Sequence, residues 1–202
     1  PYCVFEMAAQ PGGHTRSHRD EHGFVFDEGP HISFTKDERF RGLLAENLNG
    51  QFETFTARVN NLWRGHWVKH PAQCNLYGLP TDIVVRVIED MIDAKSASSQ
   101  PQNYEEWLVA SYGRTFAENF PMQYGHKYHT VEARRMSLDW LGPRLYKPAM
   151  HEVLTGALNP TTPEVHYISE FRYPSHGGLV AFLQPWLHQT NIQLNHRLTR
   201  LD

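Results

Sequence analysis

Glu6 closes the short apolar run Tyr2-Cys3-Val4-Phe5. A carboxylate at the end of the second strand of a βαβ nucleotide-binding unit can accept two hydrogen bonds from an adenosine ribose. Taken alone, Glu6 reads first as a solvated acid at a strand end, because the glycine-rich turn that should lie about 20 residues upstream does not occur in the chain. Gly12-Gly13 shifts that balance. Glycine permits close approach of the backbone to a pyrophosphate and unusual backbone angles in the loop after an acidic strand. Further along, Lys127 and Arg172 can each pair with a substrate phosphate or carboxylate, although exposed ion pairs are the commoner role of such residues.

Other chemistries fit less well. The chain has 13 histidines, and His14, His18 and His22 are spaced by four, as ligands on one helix face would be. Gly12-Gly13 before them and Gly23 after them oppose a rigid helix, and no cysteine or acidic partner is in register. The pairs His66 with His70 and His126 with His129 rate no higher, so no metal is expected. A hydrolase would need a nucleophile on a strained turn such as GxSxG, and none is present.

Several elements must position these residues. Tyr2–Phe5 reads as a buried strand running into the turn Gln10-Pro11-Gly12-Gly13, and Gly23–Asp27 as a second extended segment. A helix is expected over Asp37–Leu48. Between Gln51 and His70, recurring aromatic and β-branched residues predict hairpin-like strands, with turns at Asn60-Asn61 and Arg64-Gly65. Val84, Val87, Ile88, Met91 and Ile92 define one apolar face of a helix capped by Thr81 or Asp82.

Ser96–Pro101 reads as a loop between lobes. Asn103 then opens a helix with Glu106 in a capping box, and Phe120-Pro121 ends it. Residues 122–170 read as aromatic, His-rich and irregular, suited equally to a substrate-facing lobe and to a plain packed subdomain. After Gly177-Gly178 a short helix over Leu179–Leu187, with Pro185 near one end, precedes a strand in which Ile192, Leu194, His196 and Leu198 alternate with polar residues.

Composition sets outer bounds. With 202 residues, 40% hydrophobic and 20% charged, the chain can bury a sizeable core. Its net charge of -3, with scattered Lys and Arg, leaves no electrostatic footprint for nucleic acid. Two distant cysteines suit a reducing compartment, with cytoplasm the default. No apolar run approaches the roughly 20 residues of a spanning helix, and no signal peptide is recognisable. The chain begins at Pro1, as though its start had been removed.

The string from Val4 through Glu6 and Gly12-Gly13-His14-Thr15-Arg16 to Ser17 resembles the second-strand segment of a large FAD family. That family contains amine oxidases, protoporphyrinogen oxidase, phytoene desaturases and UDP-galactopyranose mutase. The resemblance implies that Glu6 holds the ribose and that Gly12, Gly13 and Arg16 lie along the phosphates and ribityl chain, where a guanidinium pairs with phosphate oxygens in a bidentate way. Gly23–Ser33 is similar to the segment that passes close to the flavin ring, and Gly29-Pro30-His31-Ile32 is most similar to the mutase branch. There His31 would donate a hydrogen bond toward flavin and favour its reduced form. Weaker similarities continue through Trp67–Pro71, Asn103–Trp107 with Tyr112-Gly113, Tyr124–Lys127 and Phe171–Pro174 with Gly177-Gly178.

The implied fold class is α/β with mixed α+β character: part of a Rossmann-like FAD-binding domain carrying an inserted helical and β substrate lobe. Expected divisions are a partial FAD-binding domain with a hairpin-like extension at 1–71, a mostly helical substrate lobe at 72–170, and a return to the first domain at 171–202. The implied activity is hydride transfer from a small-molecule substrate to FAD. A flavin-dependent nucleotide-sugar isomerase resembling UDP-galactopyranose mutase is the alternative, and a truncated binding or structural fragment a second. The family's first-strand glycine turn and its late Gly-Asp segment, which closes over the FAD pyrophosphate, are expected to lie outside this piece.

Overall fold

The computed structural model describes residues 2–29, 31–96, 100–142, 145–162 and 168–200. The chain divides into two compact units, one formed by Pro1–Ala57 with Ile168–Asp202 and the other by Arg58–Tyr167.

In the first unit, β1 (Val4–Phe5), β2 (Ser17–Arg19), β3 (Val25–Asp27), α1 (Glu38–Asn47) and β4 (Phe52–Thr56) come from the N-terminal stretch, and β7 (Glu170–Pro174), α7 (Gln184–Gln189) and β8 (Ile192–Gln193) from the C-terminal one. β1 runs parallel to β8, with Val4 opposite Ile192. β2 and β3 form an antiparallel pair with Ser17 opposite Asp27. β4 pairs with β7 from Phe52↔Pro174 to Thr56↔Glu170, and Phe55 stacks on Phe171 at 5.4 Å. Asp37 caps α1 by accepting from the Phe40 amide at 2.8 Å, and Asn49 and Gly50, both at positive φ, turn the chain out of it. The apolar centre is small: Leu44, Leu179 and Phe182 are buried, with Leu48, Tyr173 and Trp186 packed against them.

The second unit contains β5 (Asn60–Trp63), β6 (His66–Lys69), α2 (Thr81–Ser96), α3 (Tyr104–Tyr112), α4 (Arg114–Asn119), α5 (Pro121–His129) and α6 (Met150–Leu158). Its core is much larger. Trp63, Val68, Leu76, Val87, Met91, Leu108, Phe116 and Val153 are among its buried members. Asn103 caps α3, its side chain accepting from the Glu106 amide at 3.0 Å, while Glu106 reaches back to the Gln102 amide at 2.7 Å. Gly113 sits at φ +75 with its Cα against the second half of α2, where a Cβ would lie 2.6 Å from Asp90. Asp90 in turn accepts from the Thr115 amide at 2.7 Å at the start of α4. These contacts set the sharp turn between α3 and α4.

Several expectations change. The loop around Ser96–Pro101 does not separate the units: its described flanks belong to the second unit, and residues 97–99 lie outside the described set. The β5–β6 hairpin turns at Arg64-Gly65 as expected, but Asn60 and Asn61 lie within β5 and pair with Lys69 and Val68. That hairpin groups with the second unit because Trp63 and Val68 pack into its core, whereas the sequence-based boundary after residue 71 put it with the first. β4 finds its partner in β7, more than a hundred residues on, and not in a local hairpin.

Pro121 does not merely end a helix. It opens α5, where proline's missing N–H is no loss. The stretch read as irregular therefore contains α5 and α6. Ile92 is half exposed, so the buried stripe of α2 is narrower than its apolar pattern. The final strand stops after Gln193 because Asn195 adopts φ +59, which breaks the alternation through Leu198.

Candidate functional site

Glu6 follows the last residue of β1, and its backbone stays on the parallel ladder, donating to Gln193 and accepting from His196. Its Oε1 accepts from the Ala8 amide at 2.7 Å, which orients the carboxylate at the strand end. The loop beyond it reaches Gly12 at φ +113 and Gly13 at φ +53, both in the left-handed region that favours glycine. A Cβ on Gly13 would meet nothing within 4 Å, so this glycine is needed for its backbone angle and its open surface rather than for packing. A cleft of about 450 Å³ adjoins the loop, lined by Gln10, Pro11, Arg16, Ser17, Val180 and Ile192 among others.

Arg16 lies at the rim of β2, where its guanidinium contacts Glu28 at 2.9 Å and its Nε donates to the Gly13 carbonyl at 3.2 Å. His18 shares the same Glu28 oxygen at 2.9 Å. That His18 hydrogen bond, with the positive charge of Arg16, holds the Glu28 carboxyl below its ordinary value. Gly29 and His31 follow directly. The His31 amide donates to the Gly29 carbonyl at 2.7 Å, and a Cβ on Gly29 would crowd the His31 ring at 3.1 Å. The His14 and His31 rings lie 6.1 Å apart. Pro30 lies outside the described residues.

The structure thus brings Gly13, Arg16, Gly29 and His31 into one cluster of loops in the first unit, with Glu6 at the strand end that leads to it. Arg172 is in the same unit, on β7, where its guanidinium stacks over the Phe52 ring at 4.8 Å and its backbone bridges to Ser33. Lys127 belongs to the second unit, exposed on α5. His14 sits in a 3-10 turn, His18 in β2 and His22 in the following turn, so these three share no helix face.

Sequence reasoning missed Asp27. Its Oδ1 accepts from Ser17 Oγ at 2.5 Å and from the Leu179 amide at 3.0 Å, and its Oδ2 accepts from the Tyr173 hydroxyl. Burial alone would push this carboxyl up, but the bonds from Ser17, Tyr173 and Leu179, with the charge of His31, outweigh it and leave it below the ordinary value. Burial and the Asp27 bond push the Tyr173 phenol up to about 12. The available signal was an acid ending a short strand, as Glu6 does. Nothing local in the sequence points to Tyr173 as its partner.

Residues 2–47 match the family model of an NAD(P)-binding Rossmann-like domain. Among solved structures, reduced UDP-galactopyranose mutase superposes with a TM-score of 0.86 at 23% identity, over 95% of this chain and 42% of that one. A putrescine oxidase triple mutant redesigned in cofactor binding matches at 16% identity with a TM-score of 0.45, over 95% of this chain and 44% of the oxidase. The fold is therefore α/β, of the kind found in UDP-galactopyranose mutase. The chain spans less than half the length of either structure.

Proposed function

We propose, from this shared fold and the loop cluster, that the chain is part of an FAD-dependent oxidoreductase of the amine oxidase and protoporphyrinogen oxidase-like superfamily. The observation that carries the reading is the placement of Glu6 at the end of a parallel strand, immediately before a loop that holds two glycines at positive φ beside an open cleft. The donor set suits a dinucleotide. A strand-end carboxylate fits ribose hydroxyls, and glycine amides with a guanidinium fit phosphate oxygens.

In this reading Glu6 holds the adenosine ribose, while Gly12, Gly13 and Arg16 follow the phosphates and ribityl chain. Gly29 and His31 lie along the ring, and His31 donates a hydrogen bond toward it. FAD, when bound, supplies the hydride acceptor. Arg16 is already paired with Glu28, so its contribution is that of a pre-oriented guanidinium rather than of a free charge. A small-molecule substrate is the reductant, with Lys127 in the second unit and Arg172 in the first each a candidate anion contact, and the two free cysteines suit the cytoplasm.

The test is reconstitution of the full-length protein with FAD. We expect a yellow protein, with Glu6→Ala weakening FAD binding tenfold or more, since a charge-assisted hydrogen bond contributes about 1.5–3 kcal/mol. A wild-type protein that stays colourless would sink the reading.

A second reading, a flavin-dependent nucleotide-sugar isomerase, is favoured by the Gly29-Pro30-His31-Ile32 segment and by the fold shared with UDP-galactopyranose mutase. Incubating the dithionite-reduced, FAD-loaded protein with UDP-galactopyranose separates the two: furanose product supports the isomerase, and its absence eliminates it.

A further inference from the structure

We propose that Asp27 is the positioning residue of the cofactor-holding unit, the carboxylate that registers the Gly12–Ser17 loop, the Glu28–His31 segment and the Gly177-Gly178 turn against one another. The proposal rests on the reading that this unit holds FAD. Two of the three segments reach the Asp27 carboxylate by hydrogen bonds, and the third continues from Asp27 in the chain. Ser17, next to Arg16 in the chain, donates its hydroxyl. Glu28 follows Asp27, and its amide donates to the Arg16 carbonyl at 3.0 Å while its side chain holds the Arg16 guanidinium. The Leu179 amide, first after the glycine pair, donates to Oδ1, and the neighbouring Val180 amide donates to Ser17 Oγ at 3.3 Å. Tyr173 closes the set from β7.

The space around this hub is filled. A Cβ on Gly178 would lie 2.3 Å from Ser17 Oγ and 2.7 Å from a Val25 methyl, at a φ of +76 that already disfavours other residues. The glycine is what allows the turn to come close enough for the Leu179 amide to reach the carboxylate. A polar hub in which three donors converge on one carboxylate fixes a single arrangement, where apolar contact would tolerate several. What it fixes are the segments carrying Arg16 and His31. Asp27 itself need not touch the cofactor.

The experiment compares full-length wild type with Asp27→Asn, Tyr173→Phe and the double variant. It uses hydrogen exchange by mass spectrometry, FAD titration and the visible flavin spectrum. We expect Asp27→Asn to raise exchange about tenfold in all three segments together, leaving α2 and α3 unchanged, and to weaken FAD binding about tenfold with an altered flavin band. Tyr173→Phe should do the same about threefold, and the double variant should not exceed Asp27→Asn, because both substitutions act through one carboxylate. The altered band in protein still saturated with FAD distinguishes positioning from lost stability. A uniform rise in exchange across α2 and α3, or a response in one segment only, overturns the proposal. If wild type takes up no FAD, the cofactor reading falls and this proposal falls with it. If wild type takes up FAD and neither variant moves the segments or the band, the positioning role alone is wrong. Should Asp27→Asn fail to fold, Tyr173→Phe carries the same test.

Discussion

Asp27 and Tyr173 bound the stability of the first unit on both sides of neutrality. The Asp27 carboxyl sits below its ordinary 3.8, so its contribution is complete above that value and is lost as pH falls through the lowered one. The Tyr173 phenol is raised from 10 to about 12, so its contribution is complete below 10 and is lost as pH climbs toward 12. Urea midpoints of wild type and Asp27→Asn should therefore differ by a constant amount between about pH 5 and 9 and converge in acid. The two thiols should also separate. Burial pushes Cys74 up to about 11, whereas Cys3 is exposed. A thiolate-directed alkylating agent near pH 8 should label Cys3 in the folded protein and reach Cys74 only after denaturation, as peptide mapping would show. At this scale Glu6, Gly12, Gly13 and Arg16 could be singled out as candidates because each stands within a short local pattern. Asp27 was hidden because its partners Ser17, Tyr173 and Leu179 come from far-apart segments.

Elements with a local signature were readable, and those defined by a distant partner were not. The cap at Asn103 and the α2 repeat depend on side chains within a few residues, and α1, α2 and the start of α3 form where expected, although Gly113 breaks the helix expected to run on to Phe120 into α3 and α4. Asn103→Ala should cost about 1 kcal/mol in denaturant unfolding. The pairing of β4 with β7 and of β1 with β8 depends on residues brought together only by the finished fold, and no periodicity encodes that choice. Gly156 makes the same point for packing. On α6 it lies so close to the 3-10 turn Ala72–Cys74 that a Cβ would fall 1.8 Å from the Cys74 carbonyl oxygen. Gly156→Ala should destabilise the second unit by about 1–3 kcal/mol or more through overpacking, read from the urea midpoint. The sequence reading, which left 122–170 irregular, did not single out this glycine.

For the whole molecule, the buried apolar residues are concentrated in the second unit, while the first relies on a small centre and on polar ties such as those at Asp27. Native-state hydrogen exchange should accordingly find the slowest amides in α2, α3 and α4, and markedly faster exchange in β1, β2 and β3. Equal protection in both would contradict the packing described. The overall class was legible because the two glycine-bearing segments lie near the start of the chain. The unit boundaries were not, because the β5–β6 hairpin joins the second unit through the burial of Trp63 and Val68.

The parallel pair of β1 and β8 has a consequence in time. Val4 faces Ile192, a separation of 192 - 4 = 188 residues. The second unit is continuous in the chain and can collapse as soon as its own residues have left the ribosome. The first cannot close the β1–β8 and β4–β7 ladders until nearly all of this sequence has been made. Val4 and Phe5, which remain substantially exposed even when paired, gain Ile192 and Gln193 as neighbours only at the end of that interval. Of the two units, the one with the strongest signature in its sequence is thus the later to complete its pairing.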